Sequence, residues 1–189
     1  MNDDIVSFTE EETPTEQAPA SPWVVLVVDD EPSVHEVSAL VLKELSLDGR
    51  LVKLQHAHSA QQAEALFRER DDIAVVLLDV VMETETAGLD LVGRIRRESR
   101  SPMARIVIRT GQAARLTEYE VLRCYDVNEY CQKANLTDSV LNRVCFLALR
   151  NYRDIVAAGE VGSAGEVGSA GQVGSAGQVG AASESLAPA

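Results

Sequence analysis

Three carboxylates, a hydroxyl and an ammonium stand at the ends of separate apolar runs in this 189-residue chain. Asp29 and Asp30 close the run 24–28, Asp79 closes 73–78, Thr110 with Gly111 closes 106–109, and Lys133 follows Tyr130 by three residues. Oxygen donors of this kind suit Mg²⁺, which takes one or two carboxylates and completes its octahedron with water and phosphate oxygens. A carboxylate is also a competent nucleophile toward phosphorus, giving an aspartyl phosphate. A cation and a lysine offset charge on the transferred group, and a hydroxyl such as Thr110 can donate a hydrogen bond to the product. Taken singly, the residues read more plainly. Paired aspartates are often a turn or a helix cap, Thr-Gly is an ordinary turn, and a lone lysine is a solvated side chain.

What gives the set meaning is the frame that carries it. Residues 23–28 and 73–78 are nearly all apolar and rich in β-branched types, as in strands buried on both faces. Residues 51–57, 105–110 and 127–131 read as further strands. Between them lie helical patterns. Pro32 opens one, with Val34, Val37, Leu40, Val41 and Leu45 at helical spacing, and Gly49 ends that unit. Ser59 with Gln62 fits a capping box; Ala63, Leu66 and Phe67 then point inward and Arg68, Glu69 and Arg70 toward water. A third helix is predicted over 88–98 with a basic last turn, and a weaker fourth over 113–125. Thr137 caps a fifth, with Val140, Leu141, Val144, Leu147 and Ala148 on one side. Five β-α units in alternation mean parallel strands with helices on both faces. In such a sheet the strand C-termini share one edge, where ligands bind.

Composition bounds the rest. Residues 1–21 carry six acidic and no basic residues and read as a disordered acidic tail. Residues 157–189 lack Lys, Arg and aromatics; glycine recurs at every third position from 159 to 180 in a hexapeptide repeat. Glycine at that period is what collagen requires, but no proline lies in these triplets, so a flexible, disordered Gly/Ser/Ala/Val tail is expected. Residues 22–156 remain, enough for one domain. The net charge is −13, of which the two tails supply most, and no basic stripe suggests nucleic-acid binding. Cys124, Cys131 and Cys145 have no zinc-ligand spacing. Neither a signal-peptide pattern nor an apolar stretch of the ~20 residues that span a bilayer occurs, so a cytoplasmic protein without a membrane partner is expected.

On Val27-Val28-Asp29-Asp30-Glu31, Leu77-Leu78-Asp79-Val80-Val81-Met82, Arg109-Thr110-Gly111 and Tyr130-Cys131-Gln132-Lys133, residues 23–155 resemble the receiver domain of two-component response regulators. The resemblance implies a flavodoxin-like (βα)5 doubly wound parallel sheet with strand order 2-1-3-4-5. It implies Asp79 as phosphoacceptor and Mg²⁺ (with Mn²⁺ able to substitute) on Asp30, Asp79 and the Val81 carbonyl, with Asp29 acting mainly through water. Thr110, Lys133 and the backbones of Gly111 and Val81 would contact the phosphoryl group. Thr110 and Tyr130 match the hydroxyl–aromatic pair that moves on activation and reshapes the face of the fourth helix, fifth strand and fifth helix. The implied partners are a sensor histidine kinase or phosphotransfer protein and a downstream protein. Pairing of two copies through that face is common in the family. The variants look similar to those of receivers in larger regulators with cyclic-dinucleotide phosphodiesterase domains.

Several positions depart from the family pattern. Ala134 stands where proline is usual; a cis peptide there would cost ~3 kcal/mol, so a trans or remodelled turn is expected. The loop after Asp79 is one residue longer and carries Glu83 and Glu85, two further carboxylates that could tune metal affinity. Arg109 replaces a usually apolar strand residue. Val81, two residues after Asp79, cannot position a water, whereas Gln112 could; a slow-decaying phosphoryl group is expected. No phosphodiesterase or helix-turn-helix segment is recognised, so output is expected through protein contact, with a phosphate sink for a shared kinase or a phosphorylation-independent pseudo-receiver as alternatives. An aspartyl-phosphate phosphatase would need an acid where Val81 stands, and a dinucleotide-binding fold would need glycines where Asp29-Asp30-Glu31-Pro32 stands. The chain is therefore expected to be a phosphoacceptor that catalyses only its own phosphorylation and dephosphorylation.

Overall fold

The computed structural model describes residues 21–111 and 116–165, the last six of them by backbone alone. The elements are β1 (Trp23–Val28), α1 (Pro32–Leu42), β2 (Ser46–Leu47), β3 (Arg50–Ala57), α2 (Ala60–Glu69), β4 (Ile73–Leu78), α3 (Ala87–Glu98), β5 (Arg105–Thr110), α4 (Glu118–Cys124), β6 (Glu129–Gln132) and α5 (Asp138–Gly165), with a 3₁₀ turn at Lys133–Asn135 before α5. The sheet order is β2-β3-β1-β4-β5-β6. Without β2 this is the expected 2-1-3-4-5, every pair of it parallel. The doubly wound α/β fold is thus as expected, with one strand more.

That strand is a two-residue antiparallel addition: Ser46 and Leu47 pair with Leu51 and Arg50. Asp48 and Gly49 both have positive φ, 54° and 72°, as the two-residue turn that matches strand twist requires. Gly49 therefore closes a hairpin rather than ending the first helix. Trp23 secures it, its Nε1–H donating to the Leu47 carbonyl at 3.0 Å beneath the Arg50 guanidinium.

Strand alternation sorts the core into two layers. Val24, Leu26 and Val28 of β1 pack with Phe67 of α2 and Leu91, Val92 and Ile95 of α3. Trp23, Val25 and Val27 pack on the opposite side with Leu42 of α1 and Leu141, Val144, Cys145 and Leu149 of α5. The pattern assigned to α5 is corrected at one position: Leu147 is exposed, and Cys145 and Leu149 take the inward sites.

Three helices differ appreciably from their predicted bounds: α1 ends at Leu42, so Leu45 lies past it. α4 begins at Glu118, because Thr117 and Glu120 form a reciprocal capping box that fixes its N-terminus. α5 runs on to Gly165, so nine residues assigned to the C-terminal tail continue the helix. Residues 166–189, 1–20 and Gln112 lie outside the described residues.

A candidate phosphoryl-transfer site

The strand ends bring the expected residues together. Asp29 and Asp79 follow adjacent parallel strands whose last residues, Val28 and Leu78, are in register. The Asp79 N–H donates to the Val28 carbonyl at 2.9 Å, and the Asp29 N–H to that of Ala57 at 3.1 Å. Both acids are buried, whereas Asp30 is exposed. One carboxylate oxygen from each of the three lies within 4.8 Å of the others. All donors in this set are hard anionic oxygens beside a solvent-open side, which fits Mg²⁺ in type and number.

Lys133 reaches this set from the other end of the sheet. Its Nζ donates to Asp79 Oδ2 at 2.7 Å and Asp29 Oδ1 at 3.2 Å, and meets exposed Glu31 at 3.1 Å. The turn that launches it is a 3₁₀ turn closed by the Leu136 N–H on the Lys133 carbonyl. Ala134 lies within this turn, and the ammonium reaches the acids. Burial pulls the Lys133 pKa down, but the hydrogen bonds to Asp79 and Asp29 outweigh it and hold the pKa above the ordinary lysine value. For Asp29 burial prevails over the same lysine, so its carboxyl sits above the ordinary range.

The other expected residues take definite places. The Val81 N–H donates to Asp79 Oδ1 at 3.3 Å, and the Val81 side chain packs against the core. Thr110 is buried at the end of β5. At Gly111 the loop runs beside the Lys133 stem, where a Cβ would lie 3.4 Å from Cδ. Tyr130 is buried with Val121 and Ile106, 8% exposed; burial, Glu118 and Asp79 all raise its pKa.

Of the two added carboxylates, Glu83 is committed elsewhere: its Oε1 accepts from the Ala60 N–H at 2.9 Å, satisfying the start of α2. Arg109 is buried on the α1–α5 side and donates through Nη1 to Ser38 Oγ at 2.9 Å. Burial lowers its pKa, against the pull of Asp29 and Asp79.

Two contributors escape sequence reading. His35 Nε2 lies 2.8 Å from the Asp29 carbonyl oxygen, tying α1 to the acid pair. Gly88 lets α3 press on the loop after Asp79: a Cβ there would come within 2.0 Å of the Asp79 carbonyl oxygen. A lone glycine opening a helical pattern was the available signal for Gly88; for His35 there was none, since its contact depends on how α1 packs.

Known proteins bear on the fold and the family. The chain is 42% identical over 134 residues to 3′3′-cGAMP-specific phosphodiesterase 2 of Vibrio cholerae, an alignment covering 71% of this chain but 26% of that protein. Among solved structures, a Rhodopirellula baltica protein described as adenylate cyclase superposes with TM-score 0.63 at 19% identity, over 75% of this chain and 98% of that one. Vibrio cholerae chemotaxis protein CheY4 gives 0.57 at 20% identity, over 68% and 99%. These two likenesses speak for the fold. Residues 25–144 match the response regulator receiver domain; with the strand-end acids and lysine in place, the chain belongs to that family of two-component signalling modules.

Proposed function

We propose that the protein is a response regulator that accepts a phosphoryl group on Asp79 from a histidine kinase or phosphotransfer protein. The observation that carries this reading is Lys133 Nζ held at 2.7 Å from Asp79 Oδ2 within the three-carboxylate cluster. Asp29, Asp30, Asp79 and the Val81 carbonyl would hold Mg²⁺, which when bound offsets the charge of the acid cluster and of the incoming phosphoryl oxygens. The chain's own residues do the rest. An Asp79 carboxylate oxygen attacks phosphorus; the new O–P bond forms as the bond to the donor breaks, and the donor leaves with the electron pair. Lys133 then transfers its hydrogen bonding from Asp79 to a phosphoryl oxygen, while Thr110 and the N–H groups of Val81 and Gly111 donate to the others.

The switch in this reading is Thr110 and Tyr130, acting on the face of α4, β6 and α5. Output runs through protein contact on that face, and the reaction is confined to the chain's own Asp79. The phosphodiesterase named above is nearly four times longer than the shared segment, so only its receiver portion bears on this proposal. Among the described residues no helix is long and apolar enough to cross a membrane; we place the protein with its kinase partner in the cytoplasm.

Incubation with Mg²⁺ and acetyl phosphate, or with beryllofluoride, tests the mechanism. Wild type gains one phosphoryl mass that Asp79→Ala lacks. A wild type unmodified and spectroscopically unchanged under both conditions would sink it.

A further inference from the structure

All three histidines of the chain converge beside the acid cluster, although they come from separate parts of the fold. His35 is buried in α1. His56 lies on β3, on the side that α1 covers, and His58 follows just past the strand's end; both rings lie against that of His35. The contact of His35 Nε2 with the Asp29 carbonyl fixes the ring. A carbonyl only accepts, so Nε2 carries the hydrogen and the neutral ring keeps its lone pair on Nδ1. That Nδ1 faces His56 Nδ1 at 2.8 Å and accepts its N–H, a proton that a metal ion between the rings would displace as His56 moves its hydrogen to Nε2. The His58 ring lies against the same imidazole, centroids 4.1 Å apart. An imidazole that donates one N–H to a backbone carbonyl while its other nitrogen meets a second imidazole is oriented as metal-ligating histidines are.

We propose that His35 Nδ1, His56 Nδ1 and His58 form a second metal site, for a borderline divalent transition ion such as Zn²⁺ or Co²⁺, distinct from the carboxylate site. Nitrogen donors favour such ions, whereas Mg²⁺ favours the oxygen set beside them. Two imidazole nitrogens on one tetrahedral Zn²⁺ stand about 3.3 Å apart, so the His35–His56 pair must part by only about half an ångström. The acid trio is the one set of three among the described residues with ligand atoms all within 4.8 Å; the histidine nitrogens do not meet that span as the rings stand, so the exposed His58 ring would have to rotate to join His35 and His56. Burial and the neighbouring imidazoles lower the His56 pKa from the ordinary histidine value, which favours the neutral form that ligation needs. Because His35 also holds the Asp29 backbone, occupancy would stiffen the acid pair from behind.

The test is titration of the tag-free full chain with Co²⁺, followed by d–d absorption, and with Zn²⁺ against a chromophoric chelator, both in excess Mg²⁺. One equivalent should bind. Asp30→Asn should keep that affinity within about twofold, and the double variant His56→Ala/His58→Ala should lose at least tenfold. Imidazole NMR of the wild type supplies a readout independent of any variant's folding: Zn²⁺ should move the signals of all three histidines. Absence of binding, binding unchanged in the double variant, loss equal to it in Asp30→Asn, or imidazole signals that stay put would overturn the site. Asp79→Ala should bind as wild type does, so the result stands apart from the phosphorylation experiment.

Discussion

A buried acid whose pKa is raised is a residue kept for something other than stability, and Asp29 is such a residue. The folded chain holds its proton more tightly than the unfolded chain does. Its contribution to stability is therefore largest below its ordinary value of 3.8 and falls as pH climbs from there through the folded value. Asp29→Asn removes that dependence. Denaturant melts in EDTA between about pH 3 and about pH 6 should show the variant gaining on the wild type as pH rises; a gap that stays constant or narrows contradicts the burial account. Val81 allows a second prediction at this scale. Its side chain lies on the core beside Asp79 and offers no polar atom to seat a water, so the phosphoryl group should decay slowly. Val81→Asn should shorten its lifetime about tenfold or more in an acetyl-phosphate pulse followed by chase, as expected when a positioned polar group assists proton transfer.

At the scale of elements, the position of Asp79 depends on the helix that follows its loop. The Gly88 N–H donates to the Val80 carbonyl at 3.0 Å while its bare Cα passes the Asp79 carbonyl. Gly88→Ala forces backbone apart, which typically costs 1–3 kcal/mol or somewhat more, and it moves the phosphoacceptor itself. Urea melts should show that loss together with slower phosphorylation; a neutral change would mean α3 can shift freely. The elements also show where sequence reading succeeds. Long apolar runs ending in a polar residue locate β1 and β4, and with them Asp29, Asp30 and Asp79, because burial on both faces leaves little choice of residue. Short elements are set by single local contacts. Asp48-Gly49 was a readable hairpin turn, and Thr117 with Glu120 a readable cap, yet the turn directly follows one helical pattern and the cap lies inside another, which obscured them. Arg109 could be flagged by type alone. Its burial depends on Ser38 of α1, seventy-one residues away, and no periodicity reports that. The Leu147 error has the same origin: a helical stripe gives a face but not its exact centre.

For the whole molecule the open quantity is how much of α5 belongs to the domain. Tyr152 packs edge-on to Trp23 with ring centroids 6.2 Å apart, and Arg153 pairs with Asp48 at 2.9 Å across the hairpin. Beyond them Ile155 and Val156 are each 37% exposed and the helix runs on to Gly165. Trp23 and Tyr152 thus close this end of the core, and residues 153–159 beyond them are half-buried or exposed. Most helical stability comes from a packed face rather than from propensity, so these turns should contribute little to the global transition. A chain ending after Ala158 should keep its thermal midpoint within about 2 °C of the full chain and phosphorylate at the same rate. Tyr152→Ala in the full chain should cost about 2–3 kcal/mol, less than a fully buried aromatic because the ring is only partly covered. If the truncation instead lowers the midpoint as much as Tyr152→Ala does, the helix past Val156 is part of the receiver's folding unit, and the domain boundary moves toward Gly165.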